Sequence, residues 1–151
     1  MATAAVITWL LTAACGLGMV SIWIIEHDGD GPASRLPKTV IGVHAVLALT
    51  GLALWSLFLQ MRTSRLAWAT VGILVVVAVL GLTMMGRWLG LYRANSDPSQ
   101  VPSTAYIEGV SIESPAPPER RLPVALVIVH GLFAVTTLLL TLLTALDVAG
   151  G

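Results

Sequence analysis

The chain is 151 residues long, 56% apolar and 11% charged, with eight basic and eight acidic side chains and no net charge. An ordinary soluble domain carries about 25% charged residues, and one domain of this length cannot hide so much apolar surface behind so little polar surface. A soluble enzyme and a disordered chain are excluded; the single cysteine, Cys15, excludes an internal disulfide, and the lack of any basic stripe argues against nucleic-acid binding.

The charges are confined to a few short stretches. Residues 1–25, 39–61, 66–86 and 122–146 contain no Asp, Glu, Lys or Arg. About 20 apolar residues span a bilayer as a helix, so each stretch is long enough for one crossing. The sequence predicts an all-α, four-transmembrane-helix bundle, one integral membrane domain over 1–151 in the lipid bilayer. Helix 1 is expected over about 4–25. A polar turn rich in Gly, Asp and Pro follows. Pro37 stands at the start of helix 2, expected over 39–59; its missing N–H is harmless there. The short connection from Gln60 to Arg65 makes helices 2 and 3 antiparallel neighbours. Helix 3 is expected over 66–91. A long polar loop, 92–122, contains five prolines, and its Tyr106-Ile107 and Val110-Ser111-Ile112 segments fit a short strand or a surface-lying stretch. Pro123 opens helix 4, which runs to about 146.

The chain also repeats itself. Residues 36–59 align with 122–145 without a gap, with nine identities in 24 positions. Leucine matches carry little weight in apolar helices. Leu36-Pro37 with His44, against Leu122-Pro123 with His130, carry most of it. Helices 1 and 3 align in the same way: Ala13, Gly16, Leu17, Met19 and Trp23 match Ala78, Gly81, Leu82, Met84 and Trp88. The bundle is therefore expected to consist of two pseudo-symmetric helical hairpins, related by an axis along the membrane normal.

His44 and His130 lie inside the apolar stretches, where an ionisable residue is a functional candidate by default. Each follows its helix-opening proline by seven residues, about 10 Å along the axis, so the two imidazoles should lie at one depth. Ala48, Gly51 and Trp55 share the helix face of His44, and Ala134, Thr137, Thr141 and Thr144 share that of His130. Both faces are small, polar or aromatic, as an interior site requires. Gly16 and Gly81 fall in the same half of the membrane, and a missing Cβ lets a ring edge approach the backbone.

This layout resembles the four-helix membrane cytochromes b, in which haem lies between axial histidines on the second and fourth helices, with glycines on the first and third. His44, His130, Gly16 and Gly81 match those positions. The respiratory members carry a second histidine fourteen residues after each ligand; here those positions are Phe58 and Thr144. The resemblance thus implies a single non-covalent haem b on the side of the longer loops, and no Cys-x-x-Cys-His is present for covalent attachment. It implies membrane electron transport, with quinone or a redox protein subunit as partner and quinone as a second candidate cofactor. Arg87, at the loop-side end of helix 3, is a candidate for a haem propionate or for snorkelling to the interface. Another metal, a quinone or transported ligand at the pair, and plain hydrogen bonding within the bundle, are the competing readings. They correspond to an accessory or assembly subunit, or half of a small transporter.

Trp9, Trp23, Trp55, Trp68 and Trp88 are expected to be largely interfacial anchors. Met84-Met85 are expected in the core, and Gly86-x-x-x-Gly90 is a candidate for close helix packing. Lys38 is the only lysine and Asn95 the only asparagine, a bias typical of GC-rich bacterial genomes and hence of a bacterial inner membrane. Counting Lys and Arg places the two longer loops inside; their net acidity and the Pro/Ser-rich character of the second point the other way. The expected orientation puts both termini in the cytoplasm.

Overall fold

The computed structural model describes residues 1–27, 37–96, 105–107, 110–112 and 122–150. Four helices dominate: α1 (Ala2–His27), α2 (Lys38–Met61), α3 (Ser64–Ser96) and α4 (Val124–Gly150). All four are long and apolar enough to cross a bilayer, as a multi-pass membrane protein requires. Each extends beyond its uncharged stretch, and α3 continues past Arg93 to Ser96. Charged and polar side chains end a membrane span without ending a helix.

The helix starts follow the repeat. The carbonyl of Pro37 accepts from the N–H groups of Val40 and Ile41, and that of Pro123 accepts from Leu126 and Val127. Proline thus opens both helices with its carbonyl already engaged. At the far end of α2, Arg62 adopts a left-handed conformation, φ 52°, and its N–H caps the carbonyl of Phe58. Such a residue turns the chain sharply, and only Arg62 and Thr63 separate α2 from α3. In the long loop, β1 (Ala105–Ile107) pairs antiparallel with β2 (Val110–Ile112), with Tyr106 opposite Ser111. The strand reading of this segment is the one found.

The repeat hairpins are not the main packing units. α1 packs most extensively on α4, and α2 on α3; α3 also meets α4, while α1 and α2 touch only lightly. Among the described residues α2 and α4 make no close backbone approach, and neither do α1 and α3. The helices therefore form a square with α2 and α4 on one diagonal. A sequence repeat states which helices are equivalent, and equivalent helices here stand opposite each other.

The terminal half of the square is filled by protein. Ala5, Trp9, Trp55, Phe58, Ala67, Val71, Leu74 and Ala145 form its core. A Cβ on Gly51 would lie 3.0 Å from the Trp9 ring, so the indole seats where α2 has no side chain. Trp55 packs against Phe58 with ring centres 4.6 Å apart and the planes inclined at 33°, and its Nε1–H donates to the Ala2 carbonyl. Trp9 and Trp55 belong to this core, which corrects the expectation of interfacial anchors for these two; Trp88 is buried as well, at the other end of α3. Gly51 leaves the room that Trp9 fills. Gly86 and Gly90 have nothing near their missing Cβ atoms, so they do not form a close helix contact within the described residues. Met85 is exposed rather than in the core.

Four threonines complete this half. Thr70, Thr137, Thr141 and Thr144 are buried, and each hydroxyl donates to the carbonyl four residues earlier. Back-bonding of this kind satisfies a hydroxyl where no water is available. Thr137 also lies 2.9 Å from the Thr8 hydroxyl, a polar link between α4 and α1.

Candidate functional site

His44 enters the bundle from α2 and His130 from α4, across the diagonal that the backbones leave open. Their ring centres lie 6.4 Å apart, with the planes inclined at 49°. The equal depth expected from the two prolines is thus realised as a facing pair.

Each ring is held from the side by a different helix. The Nδ1–H of His130 donates to the carbonyl of Thr12 on α1, at 2.9 Å. The Nδ1–H of His44 donates to the carbonyl of Val77 on α3, at 3.1 Å. A carbonyl only accepts, so in both rings Nδ1 carries the proton and Nε2 keeps its lone pair. Thr12 and Val77 are themselves repeat equivalents, 65 residues apart like Gly16 and Gly81. The same hydrogen bond has been built twice. Among the described residues neither Nε2 has a hydrogen-bond partner.

The glycines touch the histidines crosswise. A Cβ on Gly16 would lie 3.2 Å from Cε1 of His130, and one on Gly81 would lie 3.3 Å from Cε1 of His44. Both distances are tighter than ordinary van der Waals contact. The ring edge that the glycines admit is therefore that of an imidazole. Gly16 serves the histidine of α4, and Gly81 that of α2, following the α1–α4 and α2–α3 packing.

Four of the five candidate residues are brought together. Arg87 is exposed; it lies six residues beyond Gly81, about 120° around the helix from that glycine's face. Cys15, beside Gly16, is half-buried with a free thiol. Thr12 and Val77 were not among the sequence candidates, because they act through backbone carbonyls. Their only sequence signal is position, one turn before each repeated glycine.

The threonines below His130 turn their hydroxyls to the helix backbone, so their polarity is already used. A cavity of about 710 Å³ at the terminal end is bordered by Ala2, Arg62, Thr144 and Asp147. Thr144 stands about 21 Å along α4 from His130, which separates that cavity from the pair by the length of the aromatic core.

No third His, Cys, Asp or Glu joins the pair among the described residues. A tetrahedral metal site needs three or four protein ligands. Compared with known proteins, the chain matches no family profile, no curated sequence and no solved structure.

Proposed function

We propose that this protein transfers electrons within a membrane, using one b-type haem held between Nε2 of His44 and Nε2 of His130. The observation that carries the reading is the facing pair at 6.4 Å with both Nδ1 atoms tied to backbone carbonyls. That separation would let both Nε2 atoms reach one metal ion at about 2 Å each. The donor set fits as well. Each histidine is oriented through its other nitrogen, the arrangement that fixes the tautomer and raises the basicity of a metal ligand.

When bound, the group supplies a one-electron iron couple. The chain's own residues do the rest. His44 and His130 would hold the iron between them, and two protein ligands would favour electron transfer over oxygen chemistry. Thr12 and Val77 hold the rings through their carbonyls, and Gly16 and Gly81 make space for them. The packed core of Trp9, Trp55 and Phe58 fills the half in which a second group would lie. One haem on one side of the bundle does not by itself carry electrons across a membrane. A quinone or a redox protein subunit is the partner this reading requires, and a bacterial inner membrane with both termini in the cytoplasm is its setting.

The test is a reduced-minus-oxidised absorption spectrum of protein purified from a haem-replete host, with haem per chain measured as the pyridine hemochromogen. One haem per chain supports the proposal. Protein that is folded and haem-free overturns it.

A second reading draws on the same hydrogen bonds. His130 to Thr12 staples α4 to α1, and His44 to Val77 staples α2 to α3, as polar links do between membrane helices. On that reading the protein is a non-redox accessory or assembly subunit, or half of a transporter. It leaves both Nε2 lone pairs without a role.

A further inference from the structure

Several hydroxyls along the helices bond to the carbonyl four residues earlier. Thr12 donates to the carbonyl of Thr8, Thr70 to that of Leu66, and Thr136 to that of Leu132. A side chain four residues on lies directly over the carbonyl, as back-bonding requires. Four residues after Thr12 comes Gly16, and four after Val77 comes Gly81. These are the two carbonyls that receive the histidines. A helix carbonyl has two lone pairs and spends one on its own helix. Where the covering side chain is absent, the second lone pair is open to a neighbouring helix.

We propose that Gly16 and Gly81 are positioning residues that set the protonation pattern of the pair: by uncovering the carbonyls of Thr12 and Val77, they draw the proton of each histidine to Nδ1 and leave both Nε2 atoms as lone-pair donors. This goes beyond making room. A Cβ at Gly16 would stand 3.2 Å from Cε1 and 3.5 Å from Nδ1 of His130, at the mouth of the hydrogen bond itself. At Gly81 the corresponding distances to His44 are 3.3 and 3.9 Å. The meaning of this for a bound iron rests on the haem reading; the tautomer does not.

The test is ¹⁵N NMR of histidine-labelled full-length protein in detergent, as purified and fully reduced. Both rings should carry the proton on Nδ1 and none on Nε2. Gly16→Ala should move the Nδ1–H signal of His130 upfield and leave that of His44 in place; Gly81→Ala should do the reverse. Gly16→Ser adds a hydroxyl that competes for the Thr12 carbonyl, so it should move His130 further than the alanine does, at nearly the same size. A purely steric role predicts no such difference between serine and alanine. An Nε2–H signal from either ring in the parent overturns the inference without any variant having to fold. So does an alanine effect that falls equally on both rings, or on neither. Haem-free parent protein with both protons on Nδ1 would remove the haem proposal and leave this inference standing.

Discussion

His130 reaches across from α4 to the carbonyl of Thr12, 2.9 Å away, and in doing so lies against the bare Cα of Gly16 one turn later. His44 stands in the same relation to Val77 and Gly81. Two histidines, two carbonyls and two glycines obey one approximate twofold axis. The repeat carries the hydrogen bond into both copies, and the other ring nitrogen of each histidine has no hydrogen-bond partner among the described residues. The proposed haem would use both of those nitrogens.

The first prediction is ligand loss. His44→Ala and His130→Ala should each lower haem per chain, to similar extents, and leave the residual iron five-coordinate and high-spin. The double substitution should abolish binding. Pyridine hemochromogen assays and absorption spectra measure both. If the histidines only staple helices, each change costs a hydrogen bond of about 0.5–1.5 kcal/mol and the spectrum has nothing to lose.

The second prediction concerns bulk at the glycines. Gly16→Leu and Gly81→Leu place a branched side chain where the imidazole edge now lies, within 3.2–3.3 Å of the first added atom. Each should expel the cofactor or alter its spectrum. Wild-type haem content in both folded variants would show that the rings do not depend on that space.

Gly51 supplies the contrast. Its missing Cβ is occupied by the Trp9 ring at 3.0 Å, in the terminal core and away from the histidines. Gly51→Ala overpacks this contact, at a cost of about 1–3 kcal/mol. Thermal unfolding should shift downward while haem per chain stays at the parental value. A loss of haem without a loss of stability would mean that the terminal core governs the site.

Much of this was legible in the chain. The four spans follow from where charge is missing, and the histidine pair follows from two prolines and two histidines at equal spacing. Gly16 and Gly81 were marked by the second repeat. Their partners were not, because the repeat pairs α1 with α3 and α2 with α4, whereas the bundle packs α1 on α4 and α2 on α3. Thr12 and Val77 were hidden for a different reason: a backbone carbonyl has no letter in a sequence. Trp9 and Trp55 were misplaced because an indole suits both an interface and a gap inside the bundle, and only the opposing helix decides between them.

Topology gives the fourth prediction. With four crossings, Ser34 and Ser103 lie in loops on the same side. Each is replaced by cysteine in a Cys15→Ser background and treated with a membrane-impermeant thiol reagent in oriented vesicles. Both should label from the same side, the exterior if the termini are cytoplasmic. Labelling from opposite sides is incompatible with four spans.

The last prediction tests why one pair of histidines is enough. Phe58 and Thr144 are the residues fourteen positions beyond His44 and His130, and both are buried. Phe58 is locked against Trp55, and the Thr144 hydroxyl is bonded to the Leu140 carbonyl. Replacing both with histidine would restore the second ligand pair of the respiratory pattern at equal depth. It would not remove Trp55 or Ala145, which fill the same layer, and a well-packed interior has no void of macrocycle size. The Phe58→His/Thr144→His variant should therefore lose stability and still bind no more than one haem per chain. Two haems per chain would mean that the terminal core yields to a ligand, and that the missing histidines alone limit the protein to one.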